Sequence, residues 1–388
     1  MTTLEYVLVG LPIALFAYAY FGYPLLLRLL GTFRPAPAPV GDPLEWPMIS
    51  ITVPAYNEEA AIRRTIESLL QLPYPPERRQ ILIISDASTD RTDDIVREFA
   101  DQGIELLRMP VRGGKTAAEN AAGAHLRGSI VVNTDATIKI LPGALKALIR
   151  VFQDPTIGVA SGRDLSVGNV TVEGNQGESG YVGYEMWLRS LETRMGSIVG
   201  ASGCLYAIRR TLHETLFPEA LSRDFACALI AKENGFRAVS VEDAVCLVPR
   251  TVSLKKEYSR KVRTMARGLD TLWYKRYLMN PLRYGYFAWA LISHKLCRWL
   301  VFPAIPVGFV GLILIAGHSN FGRGLLAMAL AGLAVGVIGM RWPEGKPVPR
   351  IVALFGFALG ATVAALIAWS KALRGERNPI WEPTRRPT

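Results

Sequence analysis

The apolar residues of this chain fall into two unlike regimes. Towards the two ends they run almost uninterrupted. Tyr6 to Leu27, Gly324 to Met340 and Ile351 to Ser370 carry no charge, and Trp299 to Phe321 carries only His318, when protonated. Each run is near the roughly 20 residues needed to cross a bilayer. The first is too long, and lacks the basic front, for a cleaved signal peptide, so it reads as a retained span. Three such runs in one tail argue against buried soluble helices.

Between about Met48 and Val248 the pattern changes, and short strand-like runs alternate with amphipathic helical stretches. "MISITVPA" precedes a predicted helix over Glu58–Leu70, and "QILIISDAS" precedes one over Arg91–Gln102. "IELLRMP" precedes a helical stretch from Thr116. "SIVVNTDA" precedes Pro142–Phe152, and "IGVASGRDL" follows. This βαβα rhythm predicts an α/β domain with a mainly parallel sheet. "RPAPAPVGDP" and Lys346–Pro349 read as linkers, and no internal repeat is present. The expected division is a transmembrane helix over 1–34, a linker over 35–47 and the α/β domain over 48–250. Basic amphipathic or interfacial helices follow over 251–300, then about three spans over 301–373 and a basic tail over 374–388.

Composition sharpens this picture. Of 388 residues, 44 are Lys or Arg against 33 Asp or Glu, a net +11 that favours a polyanionic partner. Phosphate groups, anionic lipid and nucleic acid all qualify. Nucleic acid is excluded because the basic cluster abuts the predicted spans and carries no recognisable binding motif. The four cysteines form no CxxC, which argues against a zinc site or a disulfide framework and fits a reducing compartment.

In an open α/β sheet, ligands bind beyond the carboxyl ends of the strands. Four such ends are polar here: "PAYNEE" (Pro54–Glu59), "SDASTD" (Ser85–Asp90), "RGGK" (Arg112–Lys115) and "NTDAT" (Asn133–Thr137). Singly, each has a plainer reading: an Asx turn, a helix cap, a glycine turn. The full P-loop pattern is absent. Their order carries the information.

That order resembles the inverting family-2 glycosyltransferases, with a Rossmann-like GT-A fold, over about Met48 to Asp270. Pro54, Tyr56, Asn57 and Glu58 match the family's P-x-[YF]-N-E turn, and Asp86 and Asp90 match the D-[GA]-S-x-D that reads uracil and ribose. Gly114 and Lys115 match a Gly-Lys near the base and diphosphate. Asp135 matches the metal-binding second acid of D-x-D, while Asn133 replaces the first. The resemblance implies a nucleotide-sugar site that includes Asn133, Thr134 and Asp135, with Mg²⁺ or Mn²⁺ on Asp135. One carboxylate with two diphosphate oxygens is enough for a hard cation that keeps several waters, and Asn133 can still meet a ribose hydroxyl. The rival is a metal-independent site with basic residues in place of the cation.

Further on, "GASGCLYAIRR" resembles acceptor-site stretches of membrane family-2 enzymes, placing Ser202, Gly203 and Cys204 near the acceptor. Asp224 matches the last acid of the family's T-E-D motif, the general base, while Ser222 and Arg223 depart from that motif. Arg223 beside the base is expected to keep it ionised. Ser222 or Asp224 is equally a helix cap. From Arg250 to Arg298, twelve Lys and Arg stand against two acids, with Lys256, Arg260, Arg263 and Arg267 on one helical face. Polysaccharide synthases carry Q-x-x-R-W here. Arg263 matches its Arg, Arg260 replaces Gln and Thr264 replaces Trp. Tyr181–Gly196 resembles a helix of an exopolysaccharide-type branch, and Trp187 there reads as packing rather than sugar stacking.

The resemblance implies a bacterial inner-membrane enzyme with a cytosolic catalytic domain. It would transfer sugar from a UDP-sugar to a growing glycan or a lipid-linked acceptor in cell-envelope polysaccharide synthesis, alongside other synthesis or export proteins. A polyprenyl-phosphate monoglycosyltransferase and an inactive scaffold of an export assembly are the alternatives. Arg28 and Arg34 place the end of the first span inside. Three further spans would leave outside a tail with five Lys or Arg, against that rule. Tyr284–Leu300 reads as interfacial, and some basic residues as contacts to anionic lipid headgroups.

Overall fold

The structure is a computed structural model. It describes residues 3–35, 40–167, 176–249, 254–343 and 346–376, with the side chains of 176–179 and 254–257 left out. Lys256 is therefore outside the described side chains.

The chain opens with a helix α1 (Thr3–Thr32) that contains a π-helical turn over Tyr18–Gly22. The α/β domain follows: β1 (Ile49–Ala55), α2 (Ile62–Leu70), β2 (Arg79–Ser85), α3 (Thr92–Arg97), β3 (Ile104–Arg108) and α4 (Lys115–Ala122). Then come β4 (Ile130–Thr134), β5 (Lys139–Ile140), α5 (Ala144–Arg150), β6 (Ile157–Val167), α6 (Gln176–Met195), β7 (Leu205–Arg209), α7 (Arg223–Glu233) and β8 (Arg237–Pro249). A basic helix α8 (Leu254–Tyr274) leads to α9 (Tyr286–Ala316), α10 (Asn320–Met340) and α11 (Arg350–Arg374).

All eight strands share one sheet in the order β3-β2-β1-β4-β7-β6-β8-β5. The expected parallel half is β3-β2-β1-β4. Beyond it the sheet is mixed, because β7 runs antiparallel to both β4 and β6. The chain moves outward from β1 to β3 and then returns to add β4 on the other side of β1. That reversal opens a crevice at the carboxyl ends of β1 and β4, the usual ligand position in such sheets.

Alternation along the strands builds two cores. β2 sends Ile81 and Ile83 to one face, with Ile62, Ile66 and Leu148, and Leu82 and Ile84 to the other, with Ala118, Ala122, Cys227 and Ile230. Burying one such aliphatic side chain contributes about 1.5–3 kcal/mol. A third cluster joins the domain to the apolar helices. Tyr23 and Leu27 of α1, Leu188 of α6, Leu229 of α7, Leu272 of α8 and Leu291 of α9 pack together, and all but Leu272 are completely shielded from solvent.

Four helices are long and apolar enough to cross a membrane: α1, α9, α10 and α11. The first half of α9 covers the stretch read as interfacial. Here it packs into protein: Phe287, Leu291, His294 and Arg298 are buried, and the helix continues unbroken into its apolar half through a π-helical turn over Ile292–Cys297.

Candidate active site

The first two strand ends are tied to each other. Asn57 takes a left-handed φ of 53°, a conformation that Asn tolerates. Its Oδ1 accepts from the Thr89 amide at 2.8 Å, and the Glu58 amide donates to Thr92 Oγ1 at 2.8 Å. Asp90 closes this turn, accepting from the amides of Glu59 and Thr92. The third strand end is held by Asp86. Its two carboxylate oxygens accept from the amides of Gly113 (2.7 Å) and Gly114 (2.8 Å). Such charge-assisted bonds are worth about 2 kcal/mol each. Gly114 needs its φ of +88° to turn the chain into α4. Arg112, just before, lies 3.7 Å above the Tyr56 ring.

This turn aims Lys115 at the end of β4. Its Nζ donates to Asp135 Oδ1 at 2.6 Å and to the Gly203 carbonyl at 2.8 Å. Burial alone would lower the Lys115 pKa, but Asp135, Glu119 and Asp224 outweigh it and raise it, so the group is cationic. Glu119 lies one turn further along α4, fully buried. Burial pushes its carboxyl up against the pull of Lys115 and Arg223.

Asp224 stands in the first turn of α7, where Ser222 is the N-cap. Its Oδ1 accepts from Ser222 Oγ (2.6 Å) and from the Phe225 amide (2.9 Å). Arg223 departs from expectation. It turns away from Asp224 towards the buried Glu119 at 3.7 Å, and also binds Asn120 and the His213 carbonyl. Helical geometry is the reason: adjacent residues project in different directions, so both reach the cavity wall, but only the Asp224 carboxylate lies against Gly203.

A cavity of about 400 Å³ joins these groups. Of the residues expected from the sequence, Glu58, Lys115, Asp135, Ser202, Gly203, Cys204, Asp224, Arg260 and Arg263 line it. Pro54, Tyr56, Asn57, Asp86, Asp90, Asn133 and Thr134 are not in its wall. Pro54 is inside β1, paired with Ile84. Asn133 is fully buried; its Oδ1 accepts from Thr52 Oγ1 at 2.8 Å, and its Nδ2 has no hydrogen-bond partner. Thr134 Oγ1 donates to the Cys204 carbonyl at 2.9 Å.

Several lining residues were not foreseen. Asp164 on β6 receives Ser202 Oγ at 2.6 and 2.7 Å, which props the loop that carries Gly203. Glu185 on α6 binds His294 Nε2 (3.0 Å) and Arg298 Nη1 (2.8 Å) of α9. His294 Nδ1 reaches Glu192 at 2.8 Å, and Tyr23 of α1 donates to that same carboxylate. Burial would raise the Glu185 carboxyl, but His294, Lys295 and Arg298 hold it well below its usual range. Lys295 and Trp299 of α9 also line the cavity. The floor is therefore catalytic-domain carboxylate and one wall is an apolar helix.

The residues fit a divalent cation, sparsely. Among the described residues no three His, Cys, Asp or Glu side chains come together to hold a metal. Asp135 nevertheless holds a cation already, the Lys115 ammonium. One accessible carboxylate suits Mg²⁺ or Mn²⁺ when substrate phosphates and waters supply the other ligands.

A switch-point crevice with a cation-holding carboxylate and a second carboxylate across one cavity fits a Rossmann-like sugar-nucleotide transferase architecture. Residues 50–217 match Glycosyl transferase family 2, so the chain carries a family-2 glycosyltransferase domain. Asp224 lies beyond the matched stretch. An N-acetylglucosaminyltransferase of Rhizobium meliloti is 25% identical over 335 residues, covering 78% of this chain and 75% of that protein. A beta-monoglucosyldiacylglycerol synthase of Nostoc is 29% identical over 168 residues, 42% of this chain but only 36% of its own length. The fold also resembles a Pyrobaculum calidifontis mannosyltransferase solved with GDP-Man and Mn²⁺, with a TM-score of 0.72, 23% identity, and coverage of 95% and 100% of the two chains.

Proposed function

We propose that the protein is a membrane-anchored, metal-dependent inverting glycosyltransferase that moves a sugar from a nucleotide sugar, a UDP-sugar in the first instance, to a lipid-linked acceptor in bacterial envelope polysaccharide synthesis. One observation carries this reading: Asp135 and Asp224 share a cavity with Lys295 and Trp299 of α9, a helix apolar enough to lie in a bilayer. An acceptor held in the membrane meets the reacting groups there without leaving it. The lipid product named for the Nostoc relative supports this choice of acceptor.

In the reaction, Asp224 takes the proton of the attacking hydroxyl as that oxygen bonds to the anomeric carbon. The bond from that carbon to the diphosphate breaks, and the nucleoside diphosphate leaves with the electron pair. Lys115, Arg260 and Arg263 offset the charge that grows on it, and Arg suits diphosphate through its paired donors. A divalent cation on Asp135 would supply further Lewis-acid stabilisation of the leaving group. Attack from the face opposite the diphosphate inverts the anomeric centre. Thr264 lines the cavity, and by the sequence resemblance it stands in for the Trp of the processive synthases. It offers no flat face to retain a polymer, so short products are expected.

The test is sugar-nucleotide turnover by the full chain in nanodiscs, over a panel of UDP- and GDP-sugars with Mg²⁺ or Mn²⁺ and with chelator. Turnover of one donor, lost in chelator, supports the proposal. An inert protein across the panel removes it and favours a scaffold.

A further inference from the structure

Lys115 makes two short contacts at once. Its ammonium lies 2.6 Å from Asp135 Oδ1, on the carboxylate that would take the metal, and 2.8 Å from the carbonyl of Gly203. Both side chains of the ion pair are largely shielded, Lys115 at 19% and Asp135 at 21% exposure. Such a pair is held more firmly than a surface one, because water screens it less. Gly203, at the other contact, abuts Asp224: a Cβ on it would lie 2.6 Å from Oδ2.

We propose that Lys115 is a built-in counter-cation that occupies Asp135 in the donor-free protein, so that the divalent metal binds together with the nucleotide diphosphate and not before it. The inference rests on the transferase reading for the identity of the anion, but not for the ion pair itself. A bare divalent cation that approaches Asp135 meets a positive charge already in place and few other protein ligands. A diphosphate changes this. It offers oxygens to the metal and a new partner to the ammonium, so Lys115 leaves the carboxylate without losing an anion. Glu119, four residues on along the same helix face, has one buried oxygen without a hydrogen-bond partner and keeps the region favourable for the displaced cation. When Lys115 swings away it also releases the Gly203 carbonyl. Donor loading is thereby coupled to the loop against the proposed base.

The experiment is a Mn²⁺ titration followed by electron paramagnetic resonance, with the full chain in zwitterionic nanodiscs and with or without UDP. Wild type should bind Mn²⁺ weakly alone. Lys115→Met removes the charge at similar length and should tighten Mn²⁺ binding without nucleotide by about tenfold or more, within the usual range of site-to-site coupling. Lys115→Arg should leave the affinity weak. The double variant K115M/D135N should lose the gain, which locates it at Asp135, and circular dichroism checks that each variant is folded. Unchanged Mn²⁺ affinity in folded Lys115→Met, or wild type that binds Mn²⁺ as tightly without UDP as Lys115→Met does, overturns the proposal. Failure of the transferase reading shows separately. UDP would then tighten Mn²⁺ in neither protein, while the gain in Lys115→Met would persist.

Discussion

Gly203 and Asp224 are packed with no space between them, since a Cβ on Gly203 would lie 2.6 Å from Asp224 Oδ2. The loop over Ser202–Cys204 and the proposed base are therefore set against each other by the absence of a side chain. Gly203→Ala should push the carboxylate aside. A misplacement near 1 Å costs on the order of 100-fold in rate, so we expect a kcat loss of about that size, with UDP affinity changed less than about twofold. Steady-state kinetics beside UDP calorimetry reads this. Unchanged kcat in Gly203→Ala would show that the contact relaxes freely.

Asp224→Asn keeps the size and most hydrogen bonds of the side chain but cannot take a proton. We expect transfer to fall by roughly 100-fold or more, the scale of general-base catalysis, with donor binding retained. Transfer near the wild-type rate would remove Asp224 from the mechanism.

Asp135→Ala should abolish metal-dependent UDP binding as well as turnover. Calorimetry with UDP in chelator and in Mn²⁺ separates the possibilities. Equal affinity of the wild type in both would mean that Lys115, Arg260 and Arg263 alone hold the diphosphate.

The buried network between α6 and α9 should be structural as well as positioning. His294 stands between Glu185 and Glu192, and its loss would leave two buried carboxylates short of a partner. An uncompensated buried charge costs about 3–5 kcal/mol. His294→Ala should therefore lower the thermal midpoint sharply, whereas Tyr23→Phe, which removes one donor to Glu192, should cost about 1–3 kcal/mol. Thermal unfolding in detergent compares them, and a His294→Ala midpoint equal to wild type contradicts the account.

Much of this architecture is legible in the residue pattern, for physical reasons. Unbroken apolar runs such as "QILIIS" must bury both faces, which marks β2 as an inner strand. The charge-free runs mark the four long apolar helices, since apolar length is local information. The positions of Lys115, Asp135 and Asp224 were readable because each follows a strand or opens a helix. The unread parts depend on partners distant in sequence. Asn133 looks like a ligand from its place near the end of β4, yet Thr52 of the neighbouring strand binds its Oδ1 and it lies outside the cavity wall. Arg223 is adjacent to Asp224 in sequence, but the helix turns it towards Glu119. The α9 stretch with His294, Lys295 and Arg298 looks interfacial by charge alone. Its acid partners, Glu185 and Glu192, lie about a hundred residues earlier and allow it to be buried. Asp164 gave no local signal, since its partner Ser202 arrives only through the β6–β7 pairing.

The central claim is sugar transfer at the membrane by Asp224, and one measurement tests it most directly. The purified full chain in vesicles of bacterial lipid is given labelled sugar nucleotides with Mn²⁺, and the label is partitioned between lipid extract and water. The account predicts label in the lipid fraction with wild type, on short β-linked products, and a loss of about 100-fold or more with Asp224→Asn. Label that stays wholly in water-soluble sugar, or a lipid product formed equally by Asp224→Asn, would contradict it.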